Sequence, residues 1–421
     1  MVNTNRPRLL KMRIFVFLLF TTILLQACET SSEVTPLENT GIPGNTAVYV
    51  SMPDGTRLAV DLFLPENAGA DHQIPALVNI TRYWRRDNLV PAPTAKPEIF
   101  GGINDAGYAL ILVDARGSGA SFGTRGTEFS TCETADFKHL LNWIAVQPWS
   151  NGKMATFGVS YDGNTAEHAT FDPSPALKAA VPRFTDFDAY RSILFPGGLT
   201  NLLITSNWAA GVRSLDLNQV PEKLVNQDGP TLLGVKPVDG DKDQKLLAAA
   251  VAEHADNVSV DVAFSKADYR DEIDLAVALS DPCNKAVSPF AFQKQAEANN
   301  IPSFHWGSWM DAGTAAGVLA RFTSYQTPGR YIIGAWSHGA RHDADPLTLK
   351  TLRQTLGSLN NTARYSNFWR RLLLRVIWRV IRRKNRLKQQ NRFSSISQWV
   401  RASGNKQPTG HLQVPHHKFY I

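Results

Sequence analysis

The hexapeptide Gly158-Val159-Ser160-Tyr161-Asp162-Gly163 decides how this chain is read. The apolar run 154–157 leads in as a strand, and 164–170 leads out as a helix. A serine on so sharp a strand-to-helix turn takes strained backbone angles, and small neighbours relieve the crowding. The turn lifts the hydroxyl above the sheet edge, where N–H groups at the start of the helix face developing negative charge. The second glycine falls one place later than in the common G-x-S-x-G pattern. Alone, the hexapeptide therefore also fits a glycine-rich turn with a structural serine.

Two later loops remove that ambiguity. The short apolar strand 301–307 is followed by Ser308-Trp309-Met310-Asp311-Ala312-Gly313, and the strand 331–334 by Ala335-Trp336-Ser337-His338-Gly339. Asp311 and His338 each stand just past the carboxyl end of a strand, where open α/β sheets place their chemistry. Serine, then acid, then histidine is the chain order of the α/β-hydrolase triad. Singly, Asp311 reads as a helix cap and His338 as a loop histidine; the three in order read as a catalytic set.

Further motifs make the chain resemble the serine hydrolases that include cocaine esterase and the X-prolyl dipeptidyl aminopeptidases. The resemblance runs from about residue 48 to residue 338. The run 50–59 resembles the family's opening hairpin, and Asp114-Ala115-Arg116-Gly117-Ser118-Gly119-Ala120-Ser121 its D-x-R-G-x-x-x-S loop. Trp143 and 147–153 lead into the serine as the family's helix and turn do, and 158–163 matches its six-residue elbow. Trp309-Met310-Asp311-Ala312-Gly313 is similar to its acid loop and Trp336-Ser337-His338 to its histidine loop. The resemblance implies Ser160 as nucleophile, His338 as base and Asp311 as the group that orients it. It also implies an oxyanion hole made of the Tyr161 N–H and a tyrosine hydroxyl on the loop Thr81-Arg82-Tyr83-Trp84, where Tyr83 is the matching residue. Arg82 or Trp84 turned inward is the competing arrangement, and aromatic packing is the competing role for Tyr83. Asp114, Arg116 and Ser121 read as a buried brace near the serine rather than as substrate contacts.

Size and patterning agree with this fold. The chain has 421 residues and 43% hydrophobic content, enough for one large α/β domain with an insertion. Strand-like runs at 47–51, 59–64, 76–80, 108–113, 154–157, 178–181, 303–306 and 331–333 alternate with helical segments such as 133–146. That alternation predicts an α/β-hydrolase fold with a doubly wound, mostly parallel sheet, opened by an antiparallel hairpin around Pro53-Asp54-Gly55. The expected domain spans 46–184 and 288–360, interrupted by a helical cap at 185–287 that includes a helix at 242–256. Phe195 and Trp208 in the cap are nominated as pocket lining, with plain core packing as the alternative for each. No cofactor and no metal is expected, since no His/Cys/Asp cluster has ligand spacing. The bunched His342, Asp343 and Asp345 read as a solvated loop.

The two ends carry other signals. Arg6, Arg8, Lys11 and Arg13 precede an apolar run, 14–25, too short to span a bilayer comfortably. Leu25-Gln26-Ala27-Cys28 resembles a bacterial lipobox, so 1–28 is expected to be a lipoprotein signal peptide ending at a lipidated Cys28. A short uncleaved anchor is the alternative, and 29–45 reads as a flexible tether. The expected location is outside the cytoplasm and on a membrane: the periplasmic side of the outer membrane or the cell surface in a Gram-negative cell. Cys132 and Cys283 remain, and two free thiols are the preferred reading over a pair.

From Pro346 onward there is no Asp or Glu but 16 Lys and Arg, so the net charge of +7 resides in this tail and says nothing about substrate. The segment 361–421 fits either a basic amphipathic helix on anionic lipid or, preferably, an aberrant stretch of sequence. Nucleic acid is not an expected partner of an exported lipoprotein. The family's C-terminal jelly roll is expected to be absent or truncated, although 398–421 looks like its beginning. The chain thus reads as a lipid-anchored serine hydrolase acting on small carboxylic esters or amides through an acyl-enzyme. The alternatives are an X-prolyl dipeptidyl aminopeptidase or acylase and, in another class, an inactive lipoprotein with a binding role.

Overall fold

Strands made of nearly continuous apolar runs need cover on both faces, and this chain supplies several. Ala109–Asp114 is buried at every position, and Ile74–Thr81 at six of its eight. In the computed structural model such strands form the middle of a mostly parallel sheet, as continuous apolar runs do in α/β proteins. The structure describes residues 45–90, 98–220, 231–264, 288–340, 411–414 and 417–420.

The strands are β1 (Asn45–Ser51), β2 (Arg57–Phe63), β3 (Ile74–Thr81), β4 (Asp87–Val90), β5 (Ala109–Asp114) and β6 (Ser150–Val159). They continue with β7 (Leu177–Arg183), β8 (Thr231–Val235), β9 (Ser303–Ser308), β10 (Gly329–Gly334), β11 (His411–Val414) and β12 (His417–Tyr420). The helices are α1 (Glu98–Asp105), α2 (Thr131–Ala145), α3 (Tyr161–His168), α4 (Ala209–Asp216), α5 (Lys245–His254), α6 (Val260–Phe264), α7 (Gln293–Asn299) and α8 (Thr314–Ser324). Ten strands form one sheet in the order β1-β2-β5-β3-β6-β7-β9-β10-β12-β11. The pairs from β5 to β12 are parallel; β1/β2, β2/β5 and β11/β12 are antiparallel. The β1–β2 turn closes through the Gly55 N–H on the Met52 carbonyl at 2.9 Å, with Gly55 at φ 88°. One face of the sheet buries Phe63, Leu77, Leu110, Phe157, Val181 and Trp306 in a single cluster.

The α/β-hydrolase fold expected from the sequence is therefore the observed one, with three differences. Between 185 and 287 the described residues are not only helical: β8 pairs antiparallel with β4, outside the main sheet. The pairing joins this segment to the loop that follows β3. The described end of the tail adds β12 to β10 in parallel, with β11 beyond it. Cys132, expected as a free thiol, is disulfide-bonded. The other two cysteines, Cys28 and Cys283, lie outside the described residues, as do the arginine-rich segment, His342, Asp343 and Asp345.

Candidate active site

Strand β6 runs straight into Ser160, which takes φ 61° and ψ −128° before α3 begins at Tyr161. A side-chain-bearing residue at positive φ is strained, and something must hold it there. The Ser160 N–H donates to the Arg183 carbonyl at 2.9 Å, and the Asn164 N–H donates to the Ser160 carbonyl at 3.0 Å. The two glycines have steric reasons. A Cβ on Gly158 would lie 2.1 Å from the Asp162 carbonyl oxygen, and one on Gly163 2.6 Å from that of Arg183. The later position of the second glycine is thus where α3 crosses the end of β7.

Asp311 and His338 meet beyond the ends of β9 and β10: His338 Nδ1 is 2.8 Å from Asp311 Oδ2. Ser308, the last residue of β9, ties the two loops together. Its buried hydroxyl donates to the Trp336 carbonyl at 2.6 Å and accepts the N–H groups of Met310 at 2.9 Å and Trp336 at 3.0 Å. The His338 ring stands edge-on to Phe184 at 5.8 Å. Phe184 follows Arg183, whose carbonyl holds the Ser160 N–H, so the histidine loop packs beside the elbow. With Nδ1–H directed at the carboxylate, Nε2 is left as the proton acceptor.

The loop after β3 sends its side chains three ways. Arg82 turns into a buried ion cluster, bonding Glu128 and both carboxylate oxygens of Asp216 at 3.1 Å. Trp84 donates its indole N–H to the Leu215 carbonyl at 3.1 Å. Tyr83 lies near the serine, whose side chain is among the groups acting on its hydroxyl, and the Trp208 indole N–H donates to that hydroxyl at 3.1 Å. Burial, with help from the charge of Asp162, pushes the Tyr83 hydroxyl up to about 12, so at neutral pH it keeps its proton for donation. Tyr161, 4% exposed, packs its ring against the edge of Tyr83, with centroids 6.0 Å apart. Its N–H lies in the first turn of α3, where no intrahelical acceptor exists.

The two pocket nominees part company. Phe195 tilts against Tyr190 at 4.7 Å and lines a cleft of about 420 Å³ together with Tyr190, Arg191, Gly197 and Gly198. Trp208 does not line that cleft; it steadies the Tyr83 hydroxyl and lies 5.2 Å from the Arg82 guanidinium. Both belong to one apolar cluster with Tyr83, next to the two π-helical turns Tyr190–Leu194 and Leu203–Trp208.

Behind these groups lie braces of buried charge. Asp114 accepts Arg85 Nη1 at 2.8 Å and the Ala120 N–H at 2.9 Å, while Arg85 Nε reaches Asp61 at 2.9 Å. Ser121 bonds the Asp114 carbonyl at 2.6 Å and takes the Ala59 N–H at 2.8 Å. Arg116, by contrast, forks onto Asp136 at 2.6 and 2.8 Å and also reaches Asp54. The expected Asp–Arg brace is thus two braces, each with a partner the motif does not contain. A third, Arg321 on Glu167 at 2.6 and 2.8 Å, links α3 below the serine to α8 behind the acid loop. Ser308, Arg85, Asp61, Asp136, Glu167 and Arg321 carry no local signal; polar residues inside apolar strands and helices were the only hint.

A strained serine at a strand-to-helix turn, followed by an acid–histidine pair beyond two later parallel strands, defines an α/β-hydrolase. The model of the family X-Pro dipeptidyl-peptidase (S15 family) matches residues 54–340, and the chain belongs to that family. A Mycobacterium bovis protein named "Putative serine esterase" is 32% identical over 337 residues, covering 72% of this chain and 52% of that protein. Cocaine esterase of a Rhodococcus species is 36% identical over 166 residues, 39% of this chain and 27% of its own. Among solved structures, a CocE/NonD family hydrolase of Staphylococcus aureus shares the fold, with a TM-score of 0.50 and 19% identity. That match covers 74% of this chain and 49% of the other. The chain thus spans about half the length of the relatives it matches.

Proposed function

We propose that the chain is a serine hydrolase that cleaves small carboxylic esters or amides through an acyl-enzyme. The observation that carries this reading is the 2.8 Å contact of His338 Nδ1 with Asp311, on a loop that packs against Phe184 next to the strained Ser160 elbow. His338 Nε2 takes the Ser160 proton as Oγ attacks the substrate carbonyl. Asp311 fixes the tautomer and offsets the charge of the imidazolium. The Tyr161 N–H and Tyr83 hydroxyl donate to the tetrahedral oxyanion. Collapse expels the alcohol or amine, which leaves with the proton from His338, and water repeats the sequence to free the acid.

Esters are favoured over X-prolyl amides. Among the described residues that line the cleft are Arg191 and no Asp or Glu to hold a substrate's ammonium group. The two relatives named above are esterases by name. Export and lipidation at Cys28 belong to the same proposal. The disulfide at Cys132 supports them, because such bonds persist in oxidising compartments. A cap over the site from residues 185–287 is likewise proposed, on the proximity of Trp208 to Tyr83.

The test is a fluorophosphonate probe together with p-nitrophenyl acetate, p-nitrophenyl butyrate and an X-prolyl p-nitroanilide, applied to the full chain and to Ser160→Ala. Labelling and ester turnover that vanish in the variant are expected. A folded protein that neither labels nor turns over any substrate refutes the proposal, and turnover confined to the X-prolyl amide assigns the peptidase reading.

A further inference from the structure

Glu133 is 1% exposed and lies three residues into the amino-terminal cap of α2, on the helix that runs beside β6. A glutamate at that position ordinarily returns its carboxylate to the cap residue's own N–H. Here Ser130 does its half, taking the Glu133 N–H at 3.2 Å, but the carboxylate goes elsewhere. One oxygen accepts the N–H of Phe129 at 2.9 Å; the other accepts the hydroxyl of Tyr161. Phe129 is held at φ 58°, a left-handed conformation unfavourable to a residue with a side chain, and its ring stacks on Tyr161 at 4.6 Å. Tyr161 is therefore fixed at its hydroxyl by Glu133 and on its ring by a residue that Glu133 also holds. The Tyr83 ring stands edge-on to it, and the Arg82 guanidinium lies 5.9 Å from its centroid.

We infer that Glu133 is a positioning residue of the oxyanion hole: it locks Tyr161, and so aims the Tyr161 N–H at the developing oxyanion. The inference rests on the proposed role of that N–H. A carboxylate anchored in α2 and a donor carried by α3 make one rigid unit, so the N–H needs no reorganisation when charge appears. Both oxygens of Glu133 act as acceptors, which calls for the ionised form. Burial, reinforced by Glu128 and opposed by Arg125, Arg82 and the Tyr161 hydroxyl, pushes its carboxyl up to about 7. The measurement is therefore made at about pH 8.5, above that value.

The experiment compares the full chain with Glu133→Gln, Tyr161→Phe and the double variant. Its readouts are p-nitrophenyl butyrate kinetics and the rate of Ser160 phosphonylation by a fluorophosphonate. The glutamine keeps size and burial but offers one acceptor where two are needed. The phenylalanine keeps the stacked ring and the N–H and loses only the tether. Each single variant is expected to lower kcat and the limiting phosphonylation rate about tenfold, with KM changed less than about twofold, because misplacement costs rate rather than binding. The double variant is expected to match the worse single one, since both remove the same link. Unchanged kcat in Tyr161→Phe, or losses that multiply in the double variant, overturns the inference while leaving the labelled serine intact. If Glu133→Gln does not fold, Tyr161→Phe decides alone, because it leaves the cap of α2 untouched. A wild-type chain that neither labels nor turns over refutes the hydrolase reading and this inference together.

Discussion

Replacing His168 with phenylalanine should flatten the acid limb of the protein's stability. His168 ends α3, is 2% exposed, and neither ring nitrogen has a hydrogen-bond partner among the described residues. Its ring stacks on Phe129 at 5.0 Å and meets Phe171 edge-on at 5.0 Å. A cation would ordinarily be welcome at the end of a helix, but burial prevails here, joined by the charge of Arg321. The pKa falls from the ordinary 6.5 to about 3. The fold thus excludes a proton that the unfolded chain binds, so stability present above pH 6.5 is lost as the pH falls toward 3. At about 1.4 kcal/mol per pH unit, this one group removes about 2 kcal/mol between pH 8 and pH 5. Phenylalanine keeps the stacking and cannot titrate. Any cost of its extra volume is the same at every pH, and other titrating groups cancel between the two proteins. Urea unfolding at pH 8, 7, 6 and 5 measures the difference. The gap between the two stabilities should shift by about 2 kcal/mol in favour of the variant as the pH falls. Parallel curves would refute this, showing that His168 does not resist protonation in the fold.

Gly158→Ala should abolish activity and lower expression of folded protein, because the new Cβ would meet the Asp162 carbonyl at 2.1 Å, a backbone atom that cannot step aside; normal turnover would refute it. Arg85→Met should cost about 3–5 kcal/mol in urea unfolding, since it strips the fully buried Asp114 of its guanidinium. A loss below about 1 kcal/mol would show the pair to be dispensable. Asp311→Asn should keep the fold and reduce ester turnover by several orders of magnitude by misorienting the imidazole; a change of less than about tenfold in kcat would argue against its place in the triad.

The proposed catalytic constellation could be read from the sequence because each piece is local. The glycines around Ser160 are dictated by contacts within the elbow and with the adjacent strand, and Asp311 and His338 each follow a strand of a few apolar residues. What joins the pieces was not legible. Ser308 reads as one more small residue at a strand end, and nothing in the sequence says that its hydroxyl will serve Met310 and Trp336 together. The charged braces join residues far apart, Glu167 with Arg321 and Arg82 with Asp216, so no window of sequence contains both partners. Trp208 looked like a pocket wall because aromatic type shows burial, whereas only geometry shows where an indole N–H points. The short strands β8 and β12 are set by the partners they find, β4 and β10, more than by their own pattern. The Cys132 bond likewise could not be read from spacing.

The strand order also says when the active site comes into being. β1, β2, β5, β3, β6 and β7 are neighbours in the sheet and all lie within residues 45–183, so these six can pair among themselves without waiting for the rest, while β4 alone waits for β8. That early block holds Ser160, Tyr83 and the Glu133–Tyr161 unit. Asp311 and His338 arrive on a second block that joins the sheet where β9 meets β7, at Ala180 with Ser303 and Arg183 with Trp306, and is clamped to α3 by Arg321 on Glu167. A folding chain would thus form the Ser160 elbow before the Asp311–His338 pair reaches it, with Tyr83 still awaiting Trp208. Return of activity on refolding would then time the seam between the two blocks, and the proposed nucleophile would stay unarmed until the last large piece of the sheet is in place.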